Sequence, residues 1–366
     1  MDYRTRYINC LKGYDVDHVP NIEMGIWEDA VERWHGEGMP KWVTNMHQLY
    51  DHLGMDKSFN CDWMPVNVGV CPSPVEKLVE ETEAWQIYES DIGLKYKRTK
   101  KMSSIPQYIR FPVENRADYD KLKCRLDPDK PERYGDDFQK EVFGRRFRKE
   151  AIGFNLHCFF GFARELMGLE NLACCFYDDP DLIEAMISDR VAMAKKVYKK
   201  ALDLGVVDYV QIWEDMAYKT ASLVSPAHMR KYFLDGYREL TDFLRGGGVE
   251  LVMMDCDGYV GEIMPIIMEA GLDGIYPCEI AAGSDPAAIR KAYPHIALMG
   301  GVDKRALASG GREGARSELR RLRPVIADGK FIPMIDHFAP PDISYDTFIY
   351  YIDLKNRLFA NIGMDI

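Results

Sequence analysis

No CxxC pair occurs among the nine cysteines, and the count is odd. Neither a zinc ribbon nor a paired disulfide framework is therefore expected, and the simplest compartment is a reducing cytoplasm. No run of about 18 apolar residues exists to span a bilayer. The opening MDYRTRYINCLKGYD has no apolar stretch behind its charges, so it does not read as a signal peptide. Positive charge is in deficit: 47 Lys and Arg stand against 58 Asp and Glu, a net charge of −11. A general nucleic-acid surface needs the opposite balance, and docking to an anionic membrane gains no support. GxGxxG and GxxxxGK[ST] are both absent, which removes the phosphate loop that an open doubly wound sheet would carry. The triple glycine at 246–248 precedes an apolar run instead of following one, so it reads as a helix stop.

What is present is the composition of a soluble globular protein: 47% hydrophobic, 12% aromatic and 29% charged residues over 366 positions. That length is enough for one large domain spanning 1–366. The stretch 250–279, ELVMMDCDGYVGEIMPIIMEAGLDGIYPCE, organises the rest. Its apolar runs at 251–254 and 272–276 flank a segment with helical spacing, which predicts a βαβ unit. Asp255, Asp257, Cys278 and Glu279 then fall just past the carboxyl ends of two parallel strands, where α/β sheets build their sites.

The same alternation continues along the chain. Strands are expected at 19–24, 57–61, 152–157, 206–212, 251–254, 272–276, 296–299 and 331–335, most of them followed by a helical pattern. Eight strands alternating with helices predict a (β/α)₈ TIM barrel. Residues 75–116 differ, alternating polar and apolar about a turn at 91–93, as an antiparallel hairpin does. With the charged connector behind it, 75–145 is expected to be an insertion over the barrel mouth, since it has too few apolar residues for a core of its own.

In a barrel the strand ends supply Glu23, Asp62, His157, Glu214 with Asp215, Asp255 with Asp257, Cys278 with Glu279, Asp303, and Asp336 with His337. A packed interior does not hold so many carboxylates without partners, so an acidic pocket is expected. Each has a bland alternative: a helix cap for Asp303, a loop hydrogen bond for Asp215, a buried thiol for Cys278. Asp255 and Asp257, two apart on an extended segment, face the same way and could hold a cation or tune each other as acid and base. His337, beside Asp336, is a candidate ligand or proton carrier. His228 and His295 lack such company, while His157 is expected to line the pocket.

Several segments resemble, in order, the uroporphyrinogen decarboxylase superfamily: HCFFGFARELMGLENLACCFYDDPDLIEAM, WEDMAYKTASLVSPAHMRKYF, MDCDGYVGEIMPIIMEAGLDGIYPCE, IALMGGVDKRAL and FIPMIDHFAPPDISYDTFIYYIDLKNR. The likeness covers most of 150–358 and implies the barrel. It also implies one of two activities, which the fold alone does not separate: cofactor-free decarboxylation of a porphyrinogen, or zinc-dependent methyl transfer involving a corrinoid on a partner protein. Two departures bear on the choice. Where the decarboxylase has an Arg-rich segment for its substrate's carboxylates, this chain has NIEMGIWEDAVERW, with Glu23, Glu28 and Asp29. Where the methyltransferases carry His-x-Cys and a later Cys, this chain has Asp255-x-Asp257 and, later, Asp336-His337.

The expectation is a methyltransferase nearer the corrinoid-dependent members, moving a methyl group from a small neutral or cationic compound to a corrinoid protein. Asp255, Asp257 and His337 would hold a divalent metal, zinc by resemblance, or share proton transfer. Asp62 and Glu214 join Asp255 and His337 as candidate catalytic groups. Glu23, Glu279 and His157 are substrate contacts, and Trp27, Trp63 and Trp213 apolar walls. The alternative is a decarboxylase using Asp62 and His337 without metal, in tetrapyrrole synthesis or on a smaller acid. An exposed aromatic surface would be the basis of any homodimer.

Overall fold

A computed structural model describes residues 1–57, 59–60, 62–100, 105–361 and 363. Among the described residues eleven strands appear in chain order: β1 (Asp62–Trp63), β2 (Glu76–Glu81), β3 (Trp85–Ser90), β4 (Lys95–Thr99), β5 (Gln107–Arg110), β6 (Ile152–His157), β7 (Tyr209–Trp213), β8 (Leu251–Asp255), β9 (Gly274–Cys278), β10 (Ala297–Val302) and β11 (Phe331–Ile335). Seven of them form one curled parallel sheet in the order β1-β6-β7-β8-β9-β10-β11. Strands β8, β9, β10 and β11 are buried at every position. Continuous apolar runs are what a parallel sheet covered on both faces requires.

The helices between them are set by local chemistry. Pro180–Leu202 starts with Asp179 accepting from the Leu182 amide at 3.0 Å and a proline in the first turn. Leu182, Ile183, Met186, Ile187, Val191 and Ala194 follow at helical spacing and all are buried. Ser344 caps the terminal helix Tyr345–Ala360 in the same way. The helical segment that starts at Pro226 is divided, with a π-helical turn Met229–Phe233 between Pro226–His228 and Leu234–Gly246. A helix not foreseen, Leu169–Asp178, precedes the long one. No helix among the described residues is long and apolar enough to cross a membrane.

The expected first strand at 19–24 is not a strand. Pro20 lacks an amide hydrogen, and the Ile335 amide donates to the Glu23 side chain (2.8 Å) instead of to a backbone carbonyl. The segment still lies beside β11, through Ala339 N to Gly25 O (2.9 Å) and Trp27 N to Ala339 O (3.1 Å). On its other side the Asp56 amide donates to Asn21 O at 3.0 Å. Of the expected strand at 57–61, positions 58 and 61 lie outside the described residues, and pairing with β6 begins at Asp62. Among the described residues no ladder joins β11 to β1, so the parallel sheet has seven strands where eight were expected.

The expected hairpin is larger than foreseen: β2, β3, β4 and β5 form a four-stranded antiparallel sheet. None of its apolar residues enters the buried core. Links to the rest of the chain include Phe111, whose ring packs on Gly168, and Val113, whose amide donates to Leu166 O at 2.9 Å. Both contacts are to the end of the helix Phe159–Met167, which follows β6. Buried Arg133 ties the loop after β1 to the connector, donating to the carbonyls of Asn67 (2.8 Å), Gly69 (2.9 Å) and Asp127 (2.7 Å).

Candidate active site

The carboxyl ends of β7, β8 and β11 converge on one acidic cluster. One oxygen each from Asp215, Asp255 and Asp257 lie within 4.8 Å of one another. Asp255 ends β8 on the same face as Gln211 of β7, whose side-chain amide nitrogen donates to Asp255 Oδ2 at 2.6 Å. Burial, then the charges of Asp257 and Asp215, push the Asp255 carboxyl well above the usual carboxylate range. Asp215 is also raised, by burial first and by Asp257 second.

Asp215 reaches the cluster because its backbone is left-handed, with φ +45°, rare for a residue other than glycine. Arg164 holds that turn, donating from Nη1 to the Asp215 carbonyl at 2.8 Å and from Nη2 to Oδ2 at 3.4 Å. The Asp257 amide donates to Asp215 Oδ1 at 3.3 Å. Beyond Asp257, Gly258 has φ +91° and donates its amide to Glu279 Oε2 at 2.9 Å.

His337 stands on the other side of Asp257, with Nε2 3.3 Å from Oδ2. Its ring stacks on Trp27 with centroids 6.1 Å apart and touches Phe338 at 5.2 Å. Gly25 makes room for Phe338, since a Cβ there would lie 2.7 Å from the ring. Burial opposes the imidazolium, but the hydrogen bond and charge of Asp257 outweigh it, and the His337 pKa is raised. Lys304 Nζ lies 3.3 Å from Glu279 Oε1 and 3.8 Å from Asp336 Oδ1. The acids at the ends of β9 and β11 thus share one cation.

The remaining expected site residues have partners that fold explains. Glu23 is buried against Lys355 (2.7 Å) and the Ile335 amide. Asp62 lies between Arg145 (3.0 Å) and Arg148 (2.5 Å). Glu214, 0% exposed, accepts from the amides of Phe159 (2.9 Å) and Gly161 (2.8 Å) and from the Tyr237 hydroxyl. It closes the start of the helix Phe159–Met167, where free amides favour a carboxylate. Asp336 is 0% exposed and accepts from the amides of Ile280 (3.0 Å) and Lys304 (3.2 Å). Asp303 caps the helix that begins at Lys304.

Of the aromatic walls, Trp27 adjoins His337 directly. Trp213 lies between the His157 ring (4.5 Å) and the Arg164 guanidinium (5.0 Å). His157 itself pairs with Glu165 at 2.9 Å. Trp63 packs on Tyr209 at 5.5 Å. Sequence reasoning passed over Gln211, Arg164 and Lys304, and named Asp215 among the strand-end acids without joining it to Asp255 and Asp257. A glutamine inside an otherwise apolar strand was the available signal for the first, because a buried amide needs a polar partner.

The zinc implied by the resemblance does not suit this donor set. Among the described residues the cluster offers carboxylate oxygens alone. Cys278 is buried, which pushes its thiol up to about 12, and burial raises Cys256 as well. Neither belongs to the cluster, and His337 turns its Nε2 toward a carboxylate oxygen.

No family model and no curated protein matches the sequence. Among solved structures, a methyltransferase from Methanosarcina mazei is similar over 98% of this chain and 99% of its own, with 16% identity and a TM-score of 0.60. A putative vitamin-B12-independent methionine synthase from Listeria monocytogenes covers 96% and 100% at 9% identity, but its TM-score of 0.41 carries no argument. The first likeness shows a shared fold across nearly the whole of both chains.

Proposed function

We propose that the protein is a methyltransferase that takes a methyl group from a small neutral or cationic methylated compound and passes it to a corrinoid carried by a partner protein. The observation that carries the reading is the acidic cluster at the carboxyl ends of β7 and β8, in a fold shared end to end with a methyltransferase. Sequence resemblance to the uroporphyrinogen decarboxylase superfamily supports the corrinoid as acceptor. Its other activity is less well supported, because both oxygens of Asp62 are engaged by arginines.

On this reading Trp27 and Phe338 flank the methyl compound, and Asp255 and Asp257 face its polar end. As the acceptor's electron pair takes the methyl carbon, the bond to the leaving heteroatom breaks with its electron pair; a cationic donor leaves as a neutral group, and a neutral donor leaves as an anion that takes a proton from His337 Nε2. A divalent ion bound at the carboxylates would supply Lewis-acid polarisation of that heteroatom.

The test uses free cob(I)alamin as acceptor and a panel of methanol, methylamines and methoxyarenes as donors, following methylcobalamin formation by absorbance. Transfer from one donor class, lost in Asp255→Ala and His337→Ala, is the expected result. Turnover of uroporphyrinogen without any corrinoid would overturn the reading.

A further inference from the structure

We propose that Asp215, Asp255 and Asp257 form the seat of one hard divalent cation of the magnesium or manganese class, with His337 and Gln211 outside its inner sphere. The site stands on the geometry of the cluster and is independent of the methyl-transfer reading.

The carboxylates come from two strand ends. Asp255 ends β8 and Asp257 lies two residues on, and Asp215 joins them from beyond β7 through its left-handed backbone. Their oxygens, within 4.8 Å of one another, are spaced for shared coordination. Compensation by protein cations is thin. Arg164 reaches Asp215 at 3.4 Å and His337 reaches Asp257 at 3.3 Å, while Asp255 accepts from the neutral amide of Gln211.

A second observation points to a ligand. Gln211 Oε1 and the Tyr276 hydroxyl are buried without a hydrogen-bond partner among the described residues, on side chains 6% and 1% exposed. Strand register places both side chains on the face that carries Asp255, with Tyr276 directly opposite it. Buried polar atoms left without partners are costly. A magnesium-like ion dehydrates reluctantly and keeps several waters, which would supply the missing hydrogen bonds. Thiolate and imidazole donors would select zinc, whereas an all-carboxylate set selects a hard ion. His337 then has the place of an outer partner that orients a ligating carboxylate.

The experiment is titration of the chelator-treated full-length chain with Mn²⁺, read by electron paramagnetic resonance. One bound equivalent is expected, with no ¹⁴N modulation from a directly bound imidazole. Asp215→Asn and, separately, Asp257→Asn should each weaken binding far more than His337→Gln, whose effect should stay near tenfold. Circular dichroism identifies any variant that fails to fold, and the other then decides. The proposal is overturned by no Mn²⁺ binding to the native chain, by native affinity in both aspartate variants, or by imidazole modulation. Loss of methyl transfer with Mn²⁺ binding intact would count against the functional reading alone.

Discussion

Lys355 and Glu23, 332 positions apart, form an ion pair of 2.7 Å whose side chains are 0% and 1% exposed. Burial lowers the Lys355 pKa, and the Glu23 charge opposes that shift. The pair joins the terminal helix to the irregular segment beside β11. Lys355→Met leaves a buried carboxylate without its counter-charge and should cost about 3–5 kcal/mol by urea denaturation. Lys355→Met combined with Glu23→Gln should recover most of it, because the amide still accepts from Ile335. A single-variant cost under about 1 kcal/mol would contradict the account.

Glu214 and Asp255 should separate stability from activity. Glu214→Ala strips an acceptor from the Phe159 and Gly161 amides and the Tyr237 hydroxyl. Each group left unsatisfied costs about 1–3 kcal/mol. Asp255→Asn relieves repulsion within the cluster and should fold at least as stably, while methyl transfer falls by about 100-fold or more. Denaturation midpoints and turnover, measured on the same preparations, check both halves. Equal destabilisation in the two variants would refute the division of roles.

Asp62→Asn leaves Arg145 and Arg148 without their shared carboxylate. Stability should drop while methyl transfer per folded molecule stays within a few-fold of native. A complete loss of turnover in a folded variant would return Asp62 to the chemistry.

Asp208 supplies a pH dependence. Its carboxyl accepts from the Ile152 amide (2.8 Å) and pairs with Arg4, yet burial dominates and raises its pKa. The folded chain therefore holds a proton that the unfolded chain releases near pH about 3.9. This contribution is fully present below that value and is lost as pH rises through the folded pKa. The stability difference between the native chain and Asp208→Asn should accordingly shrink from pH 4 to 7 in urea titrations. A difference that widens with pH would reverse the sign argued here.

At Gly258 an added Cβ would lie 2.8 Å from the Tyr218 carbonyl, and φ is +91°. Gly258→Ala should cost more than about 1 kcal/mol. It should also lower turnover, since the same amide holds Glu279. An alanine variant with native stability would show that the turn relaxes freely.

Much of the sheet was legible because buried parallel strands are written as unbroken apolar runs. Ile152–His157 and Phe331–Ile335 form where expected. Residues 19–24 were misread because Pro20 and Glu23 break the ladder without breaking the apolar pattern. The site was legible in position more than in partners. Of the acids expected at strand ends only Glu214 directly follows one, β7, while Asp62 opens β1 and Glu23 lies in a segment that is not a strand; the groups that engage Glu23, Asp62 and Glu214 lie 332, 83 and 55 positions away. Distances of that kind leave no local pattern. Asp215 was named among the strand-end acids, but its place beside Asp255 and Asp257 depends on a backbone torsion, which neither composition nor period records.

Among the described residues no ladder joins β1 to β11, which makes the curled sheet mechanically uneven. Within the sheet a pull across the strands meets rungs of backbone hydrogen bonds, whereas beside β11 it meets side chains and the short contacts of residues 21–27. Pulling there loads the Glu23–Lys355 clasp early. The molecule should yield first along this line, like a barrel at its stave joint, while the β7 and β8 ends that carry the acidic cluster lie well inside the laddered sheet.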